Sequence, residues 1–132
     1  MRLARTLAFA ALLVAPTVLR AQAAEQDSVR TALIQMKSDL RNLVVAQEAF
    51  FADHSAYAAQ MEGLKFQSTA NVSVSLTATQ NNAWAAEARS TLLPNVVCGI
   101  YINLPEKYQP KVSVETHAAE GEPTCADVSK KP

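Results

Sequence analysis

Glycine, histidine and cysteine are scarce in this chain of 132 residues, at three, two and two. Three glycines cannot form a Gly-rich loop that cradles phosphate. The histidines, His54 and His117, lie far apart, and neither stands near a cysteine at ligand spacing, so a four-ligand zinc site finds no support. No serine sits in a G-x-S-x-G turn. Nothing pairs a nucleophile or base with an orienting partner, so the expectation is a protein that is not an enzyme and carries no cofactor. An excess of either charge is also missing, with 12 Lys and Arg against 12 Asp and Glu. Nor is there an apolar run of about twenty residues, the length a membrane-spanning helix requires.

What the chain does contain is a long amphipathic stretch from Asp27 to Phe51. Val29, Leu33, Met36, Leu40, Leu43 and Phe50 recur at steps of three and four, with Gln47 in the remaining slot, and so share one helix face. Val44 and Phe51 widen the stripe, while Arg30, Lys37, Asp39, Arg41 and Glu48 lie off it. Glu25 and Asp27 place negative charge at the start, where the helix dipole favours it. The polar turn formers Asp53, His54 and Ser55 end it. Such a helix needs an apolar partner.

Ahead of it, residues 1–23 combine the basic Arg2 and Arg5, an apolar run from Leu7 to Val14, and Ala21-Gln22-Ala23. This is the layout of a secretory signal peptide cut after Ala23, leaving 24–132 as one domain; an uncleaved interfacial anchor is the alternative. Losing Arg2, Arg5 and Arg20 would leave 9 basic against 12 acidic residues, a net charge of −3. That balance argues against nucleic acid as partner. The expected location is periplasmic or secreted, with no stable membrane span after cleavage, as a monomer or small oligomer.

After the helix, Tyr57, Leu64 and Phe66 are apolar pegs on a connector, with a short helical turn near Ala58 to Glu62 ended by Gly63. From Asn71 the period changes to two. Val72, Val74, Leu76 and Ala78 alternate with serines and threonines, which marks a half-buried strand. Gln80-Asn81-Asn82 turns the chain into AWAAEARST, in which Trp84, Ala86 and Ala88 face one way. Leu93-Pro94-Asn95 is read as a break, Val96 to Asn103 as a third strand, and Lys111 to Thr116 as a fourth. The tail from His117 onward is polar. One helix followed by strands gives an α+β domain, with the helix packed on an antiparallel sheet of about four strands.

Cys98 and Cys125, an even pair in an exported chain, are most simply a disulfide, with two free thiols as the alternative. The acidic residues Glu115, Glu120, Glu122 and Asp127 allow calcium to be considered, since calcium takes several oxygen ligands, but they lack a recognisable loop pattern and also fit a solvated rim. Tyr108, in a Pro-flanked loop, is the aromatic residue expected to contact a partner, together with Glu120 and Glu122. Asn71-Val72-Ser73 matches a glycosylation sequon, a weak three-residue signal.

The segment MKSDLRNLVVAQEAFFADHSAY, Met36 to Tyr57, resembles the stretch in which type IV pilins and the pseudopilins of type II secretion leave the globular half of their long helix. The strand AWAAEARST, the strand VVCGIYIN and the string EGEPTC extend the similarity from about Val29 to Asp127. The resemblance implies a pilin-like head whose C-terminal loop is bounded by Cys98 and Cys125. It also implies a structural role through protein–protein contacts, in the setting of a type IV pilus or a type II secretion-like system. A small extracytoplasmic ligand- or calcium-binding protein on the same scaffold is the alternative. The family's leader ending in glycine and its apolar stem have no counterpart here, since Glu25 follows Ala24. The expectation is a pilin-like head exported without its stem.

Overall fold

A computed structural model describes residues 17–111 and 118–129. Outside the described residues lie most of the expected signal peptide, the expected fourth strand beyond Lys111, and Glu115 and His117.

Helix α1 runs from Thr17 to His54. It begins ahead of the expected Asp27, because the alanine-rich segment before Glu25 contains no Gly or Pro and continues the helical turn. It stops at Ser55, whose φ of 56° is left-handed. The Ser55 N–H donates to the Phe51 carbonyl at 2.8 Å, closing the last turn. Met36, Leu40, Leu43 and Gln47 are completely buried, as the stripe predicts. Gln47 is accommodated because its amide accepts from the Ala58 N–H (2.8 Å) and donates to the Ala58 carbonyl (3.1 Å). Asp39 departs from expectation. Only 2% exposed, its carboxylate accepts from the Thr69 N–H (2.7 Å) and the Thr69 hydroxyl (2.8 Å). A buried carboxylate is tolerable when both oxygens are engaged in this way. The connector between helix and sheet carries one 3-10 turn, Met61–Gly63.

Among the described residues the sheet has five strands: β1 Val72–Gln80, β2 Ala83–Ser90, β3 Leu93–Ile102, β4 Ala119–Glu120 and β5 Thr124–Asp127. β1, β2 and β3 are neighbours in that order and antiparallel. The far side of β3 is shared, with β5 antiparallel along Val96–Gly99 and β4 parallel beside Ile100 and Tyr101. Two expectations change here. β3 starts at Leu93 rather than Val96, because the β2–β3 register shifts between Arg89 and Ser90 and lets the segment containing the exposed Pro94 stand out of the ladder. The tail is not simply a polar tail, since it supplies β4 and β5.

A second register shift, between Leu76 and Ala78 on β1, flips that strand's alternation. Val72, Val74 and Leu76 join the helix-side core with Trp84, Ala86, Ala88, Cys98 and Ile100. Ala78, expected on the same face, instead packs on the opposite face with Ala83, Ala85, Tyr101, Leu104 and Ala118. The sheet is therefore covered on both sides, by α1 on one and by the segment after β3 on the other.

Tyr57 ties the connector to the helix through a 2.7 Å hydrogen bond from its hydroxyl to the Glu48 carboxylate. Burial, the hydrogen bond to Glu48 and the Glu48 charge, in that order, push its phenol from 10.0 up to about 12. The folded state thus holds this proton more tightly than the unfolded chain. The resulting stability is fully present below about pH 10 and is lost as the pH climbs from there toward about 12. An ultraviolet titration should show a transition near pH 12 that Tyr57→Phe removes and Glu48→Gln moves downward. A titration that Glu48→Gln leaves unchanged would contradict this assignment. In urea denaturation, Asp39→Ala should lower stability by about 1–3 kcal/mol, since it strands the Thr69 donors; a loss under about 0.5 kcal/mol, the scale of an ordinary surface change, would show the carboxylate to be dispensable.

Candidate interaction surfaces

Cys98 and Cys125 face each other across β3 and β5 and are joined, with their Cα atoms 3.9 Å apart and a sequence separation of 27. Cys98 is fully buried and belongs to the helix-side core. β5 is short and only half-buried, and its remaining attachments include the Val128 N–H donating to the Asn95 carbonyl at 2.7 Å. The covalent link therefore contributes much of what holds the C-terminal segment to β3.

The three residues expected at a contact surface do not form one cluster. Tyr108 lies in a 3-10 turn, Glu106–Tyr108, and is 50% exposed. The turn is closed by the Tyr108 N–H donating to the Pro105 carbonyl at 2.8 Å, and Lys107 places its Nζ 4.6 Å from the Tyr108 ring centre. Glu120 is exposed, and its carboxylate accepts from the Asn103 N–H at 2.9 Å. Asn103, at a φ of 55°, also donates through its side chain to the Asn82 carbonyl. Glu120 thereby fastens β4 to the end of β3, a structural use the acidic pattern did not reveal. Glu122 is on the helix side and pairs with Arg41 at 3.6 Å. Both partners are well exposed, so that pair adds little stability. Among the described residues no hydrogen bond or ion pair joins Tyr108 to Glu120 or Glu122.

The acidic residues considered for calcium are similarly dispersed. Asp127 accepts from the Ser129 N–H and hydroxyl at 2.9 and 2.6 Å, while Glu120 and Glu122 are engaged as above. Among the described residues, no group of three or more His, Cys, Asp or Glu side chains could hold a metal ion. His54 is the last residue of α1, with its ring stacked on Phe50 at 3.9 Å and its Nδ1 2.9 Å from the Phe50 carbonyl oxygen.

Two open grooves were not anticipated. The larger, about 720 Å³, lies between the early part of α1 and the β3–β5 ladder, where Val29, Leu33, Ile34, Val96 and Ala126 line it. Val29 and Ile34 are 39% and 57% exposed. The helical period correctly places Val29 on the apolar stripe, but α1 has already passed the edge of the sheet there, so the residue borders a groove instead of the core. Every residue from Arg20 to Thr31 is exposed, and no helix among the described residues is long and apolar enough to cross a membrane. The smaller groove, about 390 Å³, lies between Val45, Phe50 and Leu64 near the end of α1. Trp84 is fully buried in the core, and its indole N–H meets no acceptor among the described residues.

Comparison with protein-family models, with curated proteins and with solved structures finds no match to this chain.

Mass spectrometry of the intact protein should register two alkylatable thiols only after reduction; two reactive thiols beforehand would contradict the pairing. A Cys98→Ser/Cys125→Ser variant should lose about 2–5 kcal/mol of stability.

Proposed function

We propose that the protein is an exported, non-catalytic interaction module with a pilin-like head, working through contacts with other proteins. The observation that carries this is the overhang of α1. Its residues from Ala24 to Thr31, which cleavage after Ala23 leaves in place, are exposed, and beside them runs the apolar groove between Val29, Ile34 and Val96. A helix that outruns its own sheet retains part of an apolar stripe for another chain. The resemblance of Met36–Tyr57 to the pilin helix supports the same role, with a pilus or type II secretion-like system as the setting. The disulfide suits an oxidising compartment, periplasmic or extracellular. Removal of residues 1–23 would leave the helix from Ala24 onward and the whole sheet intact.

The test uses the producing cells. The exported protein should begin at Ala24 by N-terminal sequencing. A photo-crosslinking side chain at Ile34 or Tyr108 should give discrete protein adducts that the same side chain at the exposed Gln60 does not. Protein retained inside the cell with Met1 in place, or adducts equal at all three positions, would overturn the proposal.

A further inference from the structure

Among the described residues the sheet has one covered edge and one open edge. Beyond β3, the edge is occupied by β4 and β5. Beyond β1 there is no strand among the described residues, and β1 pairs only with β2. Nine residues long, VSVSLTATQ, it carries no charged residue, no Pro and no Gly. Natural edge strands are usually blunted by charges, Pro or bulges, because exposed N–H and C=O groups recruit another strand. The only such device here is the shift between Leu76 and Ala78, and it leaves Val72–Leu76 regular.

We propose that this edge pairs with the same edge of a second copy, antiparallel about a two-fold axis through Val74, to give a dimer with a continuous sheet. The segment is symmetric about that residue. The axis sets Val72 against Leu76 of the second copy, Ser73 against its Ser75, and Val74 against its own equivalent. A closed, isologous contact of this kind requires a self-complementary surface. Apolar then meets apolar on the helix side, where Val74 and Leu76 are only half-buried in the single chain. Serine meets serine on the other face. With no charge on the strand, like meets like without the repulsion that charged cross-strand pairs would bring. A partner of a different sequence would more naturally be selected by charge, which this edge does not offer. The edge is separate from the α1 overhang and from Tyr108, so the dimer and the function proposed above stand or fall independently.

Sedimentation velocity of the full chain over a range of concentrations tests the proposal. Ser73 and Ser75 are exposed, which leaves room for charged side chains. Ser73→Lys/Ser75→Lys sets two like-charged pairs across the axis. Ser73→Glu/Ser75→Lys sets two opposite pairs there, and within the chain it also places each new charge opposite a complementary one, Arg89 and Glu87. The wild type should dimerise. At low salt the dimer should weaken roughly 2- to 30-fold in the first variant and tighten in the second, with the contrast shrinking at high salt. The second variant keeps the test decisive if the first fails to fold. A wild type that stays monomeric at all concentrations, leaving the edge for some other strand, overturns the proposal. So does a dimer that is no tighter in the second variant than in the wild type.

Discussion

The closeness of α1 to β2 is the constraint on which the rest of the fold depends. Alanine is depleted in strands, where it has little side chain to pack on a pleated surface. Even so, Ala83, Ala85, Ala86 and Ala88 occupy half of β2, and all are essentially buried. The reason is that this strand is covered twice. Ala86 and Ala88 make room for Met36, Leu40 and Leu43, while Ala83 and Ala85 make room for Tyr101 and Leu104 on the other side. Trp84 then fills the space that small neighbours leave. Larger residues at the alanines would force the helix or the opposite segment outward, because close-packed interiors tolerate little added volume.

Three polar links hold the connector onto this layer. Asp39 takes Thr69, Gln47 takes Ala58, and Glu48 takes Tyr57. All three acceptors project from α1, and all three donors belong to the stretch between the helix and β1. The connector contains little regular structure, so its path is determined by these contacts and by the apolar side chains of Ala58 and Leu64. The helix thereby acts as both core wall and template for the chain that follows it.

The parts of the fold that were legible in the sequence are those in which pattern and environment coincide. The steps from Met36 to Gln47 mark a face that is buried throughout, and the alternation around Trp84 marks the face toward the helix. Asp39 stands three residues after Met36 and four before Leu43, so the helical period alone would have placed it on the stripe. Its charge pointed the other way, because its partner Thr69 lies thirty positions on. The β1 bulge was invisible for a different reason: a change of register leaves the alternation Val, Val, Leu, Ala unaltered in sequence while reversing it in space. β4 and β5 have no pattern of their own and exist as strands because β3 presents an edge to them. The exposure of Tyr108 was legible because a Pro-flanked aromatic outside any periodic run has little to bury it. The engagement of Glu120 with Asn103 depends on a turn geometry that its position in an acidic tail does not disclose.

The bridge between Cys98 and Cys125 has a mechanical consequence. Tension applied to the chain on either side of it must travel through the covalent backbone. The bridge short-circuits the segment between the cysteines, a sequence separation of 27, so it cannot be drawn out by force. At roughly 3.3–3.6 Å per extended residue, on the order of 90 Å of slack is withheld. The parts left to extend are α1, the connector, β1, β2, the start of β3 and the few residues after Cys125, and of the elements ahead of the bridge the helix would yield length first at its exposed end. Cys98 and Cys125 would stay clasped together, and most of the length gained under load would come from the chain ahead of Cys98.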